Sequence, residues 1–438
     1  MAFDNEELNR RRAQREQARK KRVAQANRLK IRLIAAAVIL VVAGVLIWVV
    51  SSGAGGTLTQ ATAPAAAPLQ TEAAVTTAPE ETEVPPTTQP PTTTITIAAA
   101  GDLNINDAVV NSGGVTRDFT KVFMDVMPLL TDADLTLLNF EGNAVGMPYG
   151  TESASAPQEL LDQLVRCGVD MVQVANSRII KNGMTGMSST LNALHYAGLE
   201  TVGAYATVED AKKAGGYTIK EIEGIKIAFV AFTKGMDSMA LPEGSERCVN
   251  LLYKDYATTY QDVDSESINK VLKAAASERP DITIALLHWG SEYNDIPSDT
   301  QEEIIDIMYE GGVDAIIGTH PHYVQSIHFD EEAGTFLCYS LGDFISDTKR
   351  AGTEYSIVLN LEITRDNDTG ATRITDYSYT PIFTIAEDDT LKVVRLKEAI
   401  QMYEEKNLDA VTESTYTKMT YAWQRVAERV TPETETEE

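Results

Sequence analysis

Three of the chain's five histidines lie within eleven residues, in the stretch GTHPHYVQSIH that runs from Gly318 to His328. Neutral imidazoles are common metal ligands, and Pro321 stiffens the loop that presents His320 and His322. Taken alone, two histidines in a loop are more often structural than metal-binding. Metal binding by His320 and His322 is supported only if other residues of metal-binding types lie close to them.

Polar residues also follow apolar, strand-like runs elsewhere in the chain. They are Asp102 after TITIAAAG, Asn139 and Glu141 within ADLTLLNFEG, Asn176 after GVDMVQVA, and His288 after PDITIALL. The carboxyl ends of strands in an α/β sheet share one edge, and ligand sites form there. Carboxylates and imidazoles suit divalent Mn, Fe or Zn, so the sequence predicts a metal site at this edge. Its expected ligands are Asp102, Glu141, His288, His320 and His322.

The elements that position these residues are alternating strands and helices, which begin at Thr94. Apolar runs of strand length alternate with helical stretches such as PQELLDQLVRC and SDTQEEIIDIMYEGG. This order predicts βα units in a layered α/β domain. Within it, YTIKEIEGIKIAFVAFT predicts a β-hairpin that turns at Glu223 and Gly224. From Leu391 the pattern becomes helical, and the chain ends in the acidic tail TPETETEE.

The first 93 residues differ from the rest of the chain. Residues 1–32 are basic, and residues 33–50 form 18 consecutive apolar or small residues, which is long enough for a helix to cross a bilayer. Residues 51–93, rich in Ala, Thr and Pro, predict a disordered linker. We expect a single-pass protein of the cell membrane, with residues 1–32 in the cytoplasm and the main domain outside. A cleaved signal peptide is the alternative, because ATAPAAAP follows at 61–68.

The remaining composition is acidic and poor in cysteine. The formal net charge is −27, and because residues 1–32 contribute +7, the rest of the chain stands at −34. This charge argues against a nucleic-acid partner, which needs a basic surface. It also means that an anionic substrate needs a metal ion or a specific cation to bind. Cys167, Cys248 and Cys338 have no metal-binding spacing and sit in apolar surroundings, so we expect them to be buried.

Five motifs in order, AAAGD, LNFEG, LLHWGSEY, IIGTHPH and YSLGDF, resemble those of the CapA family of capsule-synthesis proteins. The resemblance implies a four-layered α/β/β/α sandwich of the metallophosphoesterase-like type over residues 94–385, followed by C-terminal helices and the tail over 386–438. It also implies a role in making or processing capsule or another anionic envelope polymer of the poly-γ-glutamate type. The expected partners are that polymer, the membrane and membrane proteins of capsule synthesis.

The resemblance also assigns roles to single residues. Asp102 matches the family's first metal-binding Asp, and Glu141 matches the Glu of its NxEG element. The motif histidines match those that face the metal. Asn139, and Asn176 further on, match positions near the reacting groups, where an amide can position water or a substrate oxygen. Sites of this class lower the pKa of water and neutralise the substrate anion.

One loop departs from the family pattern. Where the family has ANNHxxDYG, this chain has ANSRIIKNG, which keeps Asn176 but places Ser177 and Arg178 at the expected Asn and His, and Lys181 at the acid. Asp343 also stands where Asn is usual. In one interpretation, Arg178 clamps a carboxylate or phosphate through paired hydrogen bonds. In the other, the loop has lost its role and Arg178 points to water. The sequence therefore leaves open a metal-dependent hydrolase or transferase and a non-catalytic scaffold or polymer-binding module.

Overall fold

The structure is a computed structural model that describes residues 90–387, 390–406 and 411–431. The expected basic segment 1–32, the expected membrane helix 33–50, most of the linker and the acidic tail lie outside these residues. Among the described helices, none is both long and apolar enough to cross a membrane.

The strands fall into two sheets. Their bounds are β1 Thr92–Asn104, β2 Leu135–Glu141, β3 Met171–Gln173, β4 Glu200–Val202, β5 Tyr217–Ile222, β6 Ile225–Thr233, β7 Ile282–His288, β8 Ala315–Thr319, β9 Ile327–Asp330, β10 Thr335–Cys338, β11 Asp343–Ile345, β12 Tyr355–Asp366, β13 Thr372–Glu387 and β14 Thr390–Arg395. The first sheet has the order β14-β13-β12-β1-β2-β3-β4, with β11 paired to β1, and the second has the order β5-β6-β7-β8-β10-β9.

The helices connect the strands and cover the sheets. Their bounds are α1 Asp107–Asn111, α2 Thr120–Phe123, α3 Met127–Thr131, α4 Gln158–Cys167, α5 Gly183–Ala197, α6 Val208–Ala214, α7 Ser265–Ser277, α8 Asp299–Glu310, α9 Leu396–Glu404 and α10 Glu413–Val430.

Parallel pairing in the middle of each sheet places the carboxyl ends of neighbouring strands at the same edge. Strands β1 to β4 run parallel to one another, and so do β6, β7 and β8. All residues of β2, β7 and β8 are buried, as expected for central parallel strands covered on both faces. The predicted hairpin is confirmed, because β5 and β6 pair antiparallel around Glu223 and Gly224, both of which have positive φ.

The two sheets pack face to face, with helices on the outer sides. Ile225, Ile227 and Phe229 of β6 belong to the same buried cluster as residues of β1 and β2 in the first sheet. The alternate residues Ala228 and Val230 belong to a second cluster, which includes residues of α7 and α8. Helices α4 and α5 add buried leucines to the first cluster. The expected α/β sandwich is therefore confirmed. All three cysteines are buried and unpaired, also as expected.

One glycine allows β11 to lie against the end of β1. A Cβ atom on Gly101 would come within 1.8 Å of the carbonyl oxygen of Gly342, so a larger residue does not fit. Asp102 donates its N–H to that same carbonyl oxygen at 3.0 Å. This close approach aligns Asp102 with Asp343, the first residue of β11.

The C-terminal helix reaches a loop near the site. Helix α10 buries Met419, Ala422, Val426 and Val430 in the first cluster. From its other side, Nη2 of Arg429 lies 3.2 Å and Nη2 of Arg425 3.5 Å from Oδ2 of Asp295. Asp295 lies in the loop between β7 and α8, so the last helix of the described chain is tied to the segment that follows His288.

Candidate metal centre

The candidate site lies where strand ends of both sheets meet. Asp102 and Glu141 come from β1 and β2 of the first sheet, in the register that pairs Asp102 with Asn139. His288 ends β7 in the second sheet and pairs with Thr319, the residue before His320. The predicted positions at the carboxyl ends of strands are therefore brought together, although they belong to two sheets.

Two buried carboxylates form the floor of the site. Asp102 is fully buried, and Glu141 is 2% exposed. Burial raises the pKa of Asp102 to about 6. Burial, followed by the nearby charge of Asp102, raises the pKa of Glu141 to about 8. In the part of the chain that the structure describes, Oε2 of Glu141 has no hydrogen-bond partner, so one buried oxygen is left facing the site.

The His-Pro-His loop is held in an uncommon backbone conformation. His320 and His322 have φ angles of 94° and 59°, a region that residues other than glycine seldom adopt. The N–H of His320 donates to Oδ2 of Asp102 at 3.0 Å, which fixes the loop to β1. Nδ1 of His320 is buried without a partner among the described residues. Strain of this kind persists where the surroundings enforce it, often at functional sites.

His322 is paired with Asp343, which the sequence marked only as a departure from the family pattern. Its Nδ1 lies 2.7 Å from Oδ1 of Asp343 and 3.6 Å from Oδ2 of Asp102. Burial alone would lower the pKa of His322, but the surrounding carboxylates, Asp343 first, raise it well above its usual value. Burial raises the pKa of Asp343 as well.

Ser177 occupies one nitrogen of His288. The backbone N–H of Ser177 donates to Nε2 of His288 at 3.2 Å, and the Ser177 hydroxyl lies 3.1 Å from the same nitrogen. Burial lowers the pKa of His288 well below its usual value, so the ring is neutral. Since Nε2 accepts a hydrogen bond, the ring proton lies on Nδ1, 3.3 Å from Oγ1 of Thr319.

Two groups of buried side chains have donor atoms close enough to hold a metal ion. One is Glu141, His320 and His322, and the other is Asp102, His322 and Asp343, with the donor atoms of each group within 4.8 Å of one another. The unpartnered Oε2 of Glu141 and Nδ1 of His320 lie in the first group, so these residues fit a divalent cation. Four of the five expected ligands are included. His288 belongs to neither group, and its role as a ligand stays a prediction.

The two asparagines expected near the reacting groups make internal hydrogen bonds. Nδ2 of Asn139 donates to Oδ1 of Asp102 at 2.5 Å. Nδ2 of Asn176 donates to the carbonyl oxygen of Phe140 at 2.7 Å, while Oδ1 of Asn176 accepts the N–H of Arg178 at 3.0 Å. Asn139 therefore orients a carboxylate of the site, and Asn176 holds the turn that carries Ser177. Their direct part in catalysis stays a prediction.

Arg178 has a partner that neither interpretation of its loop included. Its Nη1 lies 2.9 Å from Oδ2 of Asp237, and each side chain is 35% exposed. The guanidinium thus neither points only to water nor stands free for an anion. Asp237 lies on an exposed turn with positive φ, and no pattern in the sequence singles it out.

Tyr293 covers the site on its solvent side. Its ring stacks on that of His322, with centroids 5.2 Å apart, and the guanidinium of Arg350 lies 3.9 Å above the same tyrosine ring. The N–H of Tyr293 donates to the carbonyl oxygen of Pro321 at 2.8 Å. The loop that Arg425 and Arg429 hold at Asp295 therefore carries an aromatic cover for the histidine loop.

A cavity of about 270 Å³ opens beside His320. Its lining includes Ser177, Lys234, Asp237, Glu292 and His320. Sequence reasoning missed Lys234, although the signal was available: this residue directly follows the apolar run IKIAFVAFT, as His288 follows PDITIALL. Asp343 was missed as a site residue because its strand, β11, is only three residues long.

The matching family and two curated relatives are proteins of bacterial capsule or PGA biosynthesis. The family described as bacterial capsule synthesis protein PGA_cap matches residues 96–348. Capsule biosynthesis protein CapA of Bacillus anthracis is 27% identical over 285 residues, which cover 63% of this chain and 65% of that protein. PGA biosynthesis protein CapA of Bacillus subtilis (strain 168) is 27% identical over 269 residues, which cover 58% of this chain and 64% of that protein. The chain thus spans slightly less than two thirds of the length of these curated relatives.

The likeness to one solved structure is distant. A putative 5′-nucleotidase from Staphylococcus aureus, in complex with alpha-ketoglutarate, has a TM-score of 0.43 and 12% sequence identity, over 76% of this chain and 58% of that one. A likeness at this level does not inform function.

Proposed function

Because the chain belongs to the family of bacterial capsule synthesis proteins described as PGA_cap, we propose that it acts in the synthesis or processing of an anionic cell-envelope polymer of the poly-γ-glutamate type. The names of the curated relatives, which refer to capsule and PGA biosynthesis, support this role. The observation that carries an enzymatic role is the buried group of Glu141, His320 and His322, two of whose donor atoms have no partner among the described residues.

In the first candidate function, the protein is a metal-dependent hydrolase or transferase of the metallophosphoesterase-like class. A divalent Mn, Fe or Zn ion would polarise a substrate oxygen and offset the negative charge that develops during the reaction. The protein's own residues prepare the site for this task. Asn139 and the N–H of His320 orient Asp102, while Asp343 orients His322. The ring of Tyr293 shields His322 from water.

In the second candidate function, the protein binds the polymer or acts as a scaffold without turnover. Two contacts favour it. Nε2 of His288 is occupied by Ser177, and the guanidinium of Arg178 is occupied by Asp237. A guanidinium group also cannot act as a proton donor near neutral pH in the way that an imidazolium can. Arg178, which stands at the position of the family's His, therefore cannot serve as a general acid.

A place at the cell membrane is part of the same proposal. Residues 33–50 of the sequence, with their basic flank, support a single-pass anchor, an external main domain and contact with membrane proteins of capsule synthesis. Protease treatment of intact cells tests this arrangement. Digestion of the main domain, with protection of residues 1–32, is the expected result, and an uncleaved cytoplasmic protein would contradict it.

One experiment separates the candidates. The purified full-length protein, metal-free or loaded with Mn, Fe or Zn, is given poly-γ-glutamate and a chromogenic phosphodiester, and binding and product release are followed. Metal-dependent turnover that is lost in a His320→Ala/His322→Ala variant supports the enzyme. Polymer binding with no turnover in any metal form supports the binding module. A protein that neither binds nor cleaves the polymer would contradict the proposed function.

A further inference from the structure

Lys234 is a cation at the candidate site that lacks an acidic partner. It follows β6 at the same sheet edge as His288, whose carbonyl oxygen accepts the Lys234 N–H at 2.8 Å. Its Nζ donates to the carbonyl oxygen of Gly290 at 2.6 Å and lies 4.6 Å from the centroid of the Tyr260 ring. Lys234 forms no ion pair with a carboxylate anywhere in the described ranges 90–387, 390–406 and 411–431.

The surroundings of Lys234 leave its charge only partly compensated. Lys234 is partly buried, and of the two acids that line the same cavity, Glu292 and Asp237, the second is already paired with Arg178. A carbonyl dipole and an aromatic face stabilise an ammonium ion less than a carboxylate in direct contact does. Binding of an anion next to this partly buried ammonium group is therefore favourable.

The cavity beside Lys234 also reaches one of the candidate metal ligands, His320. Lys234 and His320 line the same space of about 270 Å³, and Ser177 lines it as well. Ligand pockets usually measure roughly 300–1,000 Å³, so this cavity suits one charged group and the atoms next to it rather than a long stretch of polymer. A group bound there would contact Lys234 while the adjoining bond lies at the candidate metal centre.

We propose that Lys234 binds one oxyanion of the substrate in this cavity, a carboxylate or a phosphate, and so positions the neighbouring bond of an anionic polymer at the site. This inference rests on the proposed function for the identity of the polymer, but not for the anion site itself. A cation at this position also explains how so acidic a chain could bind an anionic polymer. A chain with a net charge of −27 repels a polyanion unless a specific cation receives it.

The test compares charge and hydrogen bonding at position 234. Lys234→Gln keeps a donor for the Gly290 carbonyl but removes the charge, whereas Lys234→Arg keeps the charge. Lys254→Gln is the matched control, because Lys254 is exposed and paired with Asp262 at 2.9 Å. Binding of tri-γ-glutamate and of inorganic phosphate to the full-length protein is measured by calorimetry, and metal content and melting temperature are recorded for each variant.

The expected result is that Lys234→Gln weakens binding of at least one probe by about tenfold to hundredfold, the range for a lost hydrogen bond to a charged group. Lys234→Arg and Lys254→Gln stay close to the parent protein. Equal binding by Lys234→Gln and the parent would overturn the inference and leave the proposed function standing. Lys234-dependent binding of phosphate alone would support the anion site and contradict the glutamyl polymer. Failure of the parent to bind either probe would overturn both.

Discussion

The backbone N–H of Ser177 donates to Nε2 of His288, one of the two ring nitrogens through which an imidazole can bind a metal ion. The contact joins residues 111 positions apart in the chain and buries both of them. Because it is made by the main chain, it persists when the serine side chain is changed. Nε2 of His288 is therefore already engaged, whereas Oε2 of Glu141 and Nδ1 of His320 have no hydrogen-bond partner among the described residues.

Zinc titration followed by ¹⁵N–¹H NMR of the histidine rings should therefore distinguish the three buried imidazoles. We expect one equivalent of Zn²⁺ to shift the ring signals of His320 and His322 and to leave His288 in its Nδ1–H form, since Nε2 of His288 is engaged. The exposed ring of His195 provides the reference. A His288 signal that changes as much as that of His320 would show that the Ser177 contact opens and that His288 is a ligand.

Asp343→Asn should weaken metal binding by about tenfold or more, the usual effect of losing a carboxylate that holds or orients a ligand. Asp343 lies 2.7 Å from His322 and belongs to one of the two metal-capable groups. Competition with a chromogenic chelator gives the dissociation constant. Asp347→Asn serves as the control, because Asp347 pairs with the exposed Lys349. Equal losses in both variants would mean that the effect is general.

Above about pH 7, where the histidines of the unfolded chain are already neutral, the metal-free protein should become less stable as the pH rises to about 8. Glu141 has a pKa raised from 4.5 to about 8 in the folded state, so across this window the folded state holds a proton that the unfolded state has lost. The free energy of unfolding then falls with pH, by on the order of 1 kcal/mol per pH unit at most for one proton. Urea unfolding at several pH values measures this slope.

Glu141→Gln should flatten the pH dependence, because the neutral amide carries no proton to lose. Exposed Glu221→Gln, on the hairpin, is expected to keep the slope of the parent protein. Stability of the metal-free parent that increases between pH 7 and 8 would contradict this assignment of Glu141.

Loss of the Arg178–Asp237 pair should cost little stability. Each side chain is 35% exposed, and exposed ion pairs contribute roughly 0.2–1 kcal/mol, so a double-mutant cycle with Arg178→Ala and Asp237→Ala should give a coupling in that range. The Arg117–Glu159 pair, of similar exposure, is the comparison. A coupling of several kcal/mol would identify the pair as a structural requirement of the loop.

Strand ends were predictable, whereas contacts between loops were not. Asp102, Glu141 and His288 each follow a long apolar run, and in parallel strands that pattern alone fixes the edge on which they lie. The Glu223–Gly224 hairpin was predictable for a similar reason, because its strands are adjacent in sequence and the turn chemistry is local.

The rest of the site depends on tertiary contacts that leave no local pattern. Asp343 reaches it because Gly101 lets β11 pair with β1, more than two hundred residues away in sequence. The partner of Arg178 comes from a different loop, and the occupied nitrogen of His288 depends on the path of the backbone at Ser177. Residue types and spacing do not encode such contacts in a single sequence.

Arg429→Ala should loosen the loop between β7 and α8. Arg429 is only 11% exposed on its side chain and lies 3.2 Å from Asp295, so its loss removes a partly buried ion pair. We expect faster amide hydrogen exchange over residues 290–298, with little change in β7. Arg365→Ala, at the far hairpin contact with Gly224, is the control. Unchanged exchange in residues 290–298 would show that the loop holds itself in place.

The tie between Asp295 and Arg429 spans 134 residues of sequence, and it imposes an order on biosynthesis. Every candidate ligand from Asp102 to Asp343 leaves the ribosome before either arginine of α10 has been translated. A growing chain therefore has its candidate ligands before it has the ion pairs that tie the loop of Tyr293 to α10. The candidate ligands and the ion pairs of α10 are therefore made at different times during translation, and a premature stop codon just before α10 yields a chain without these ion pairs to Asp295.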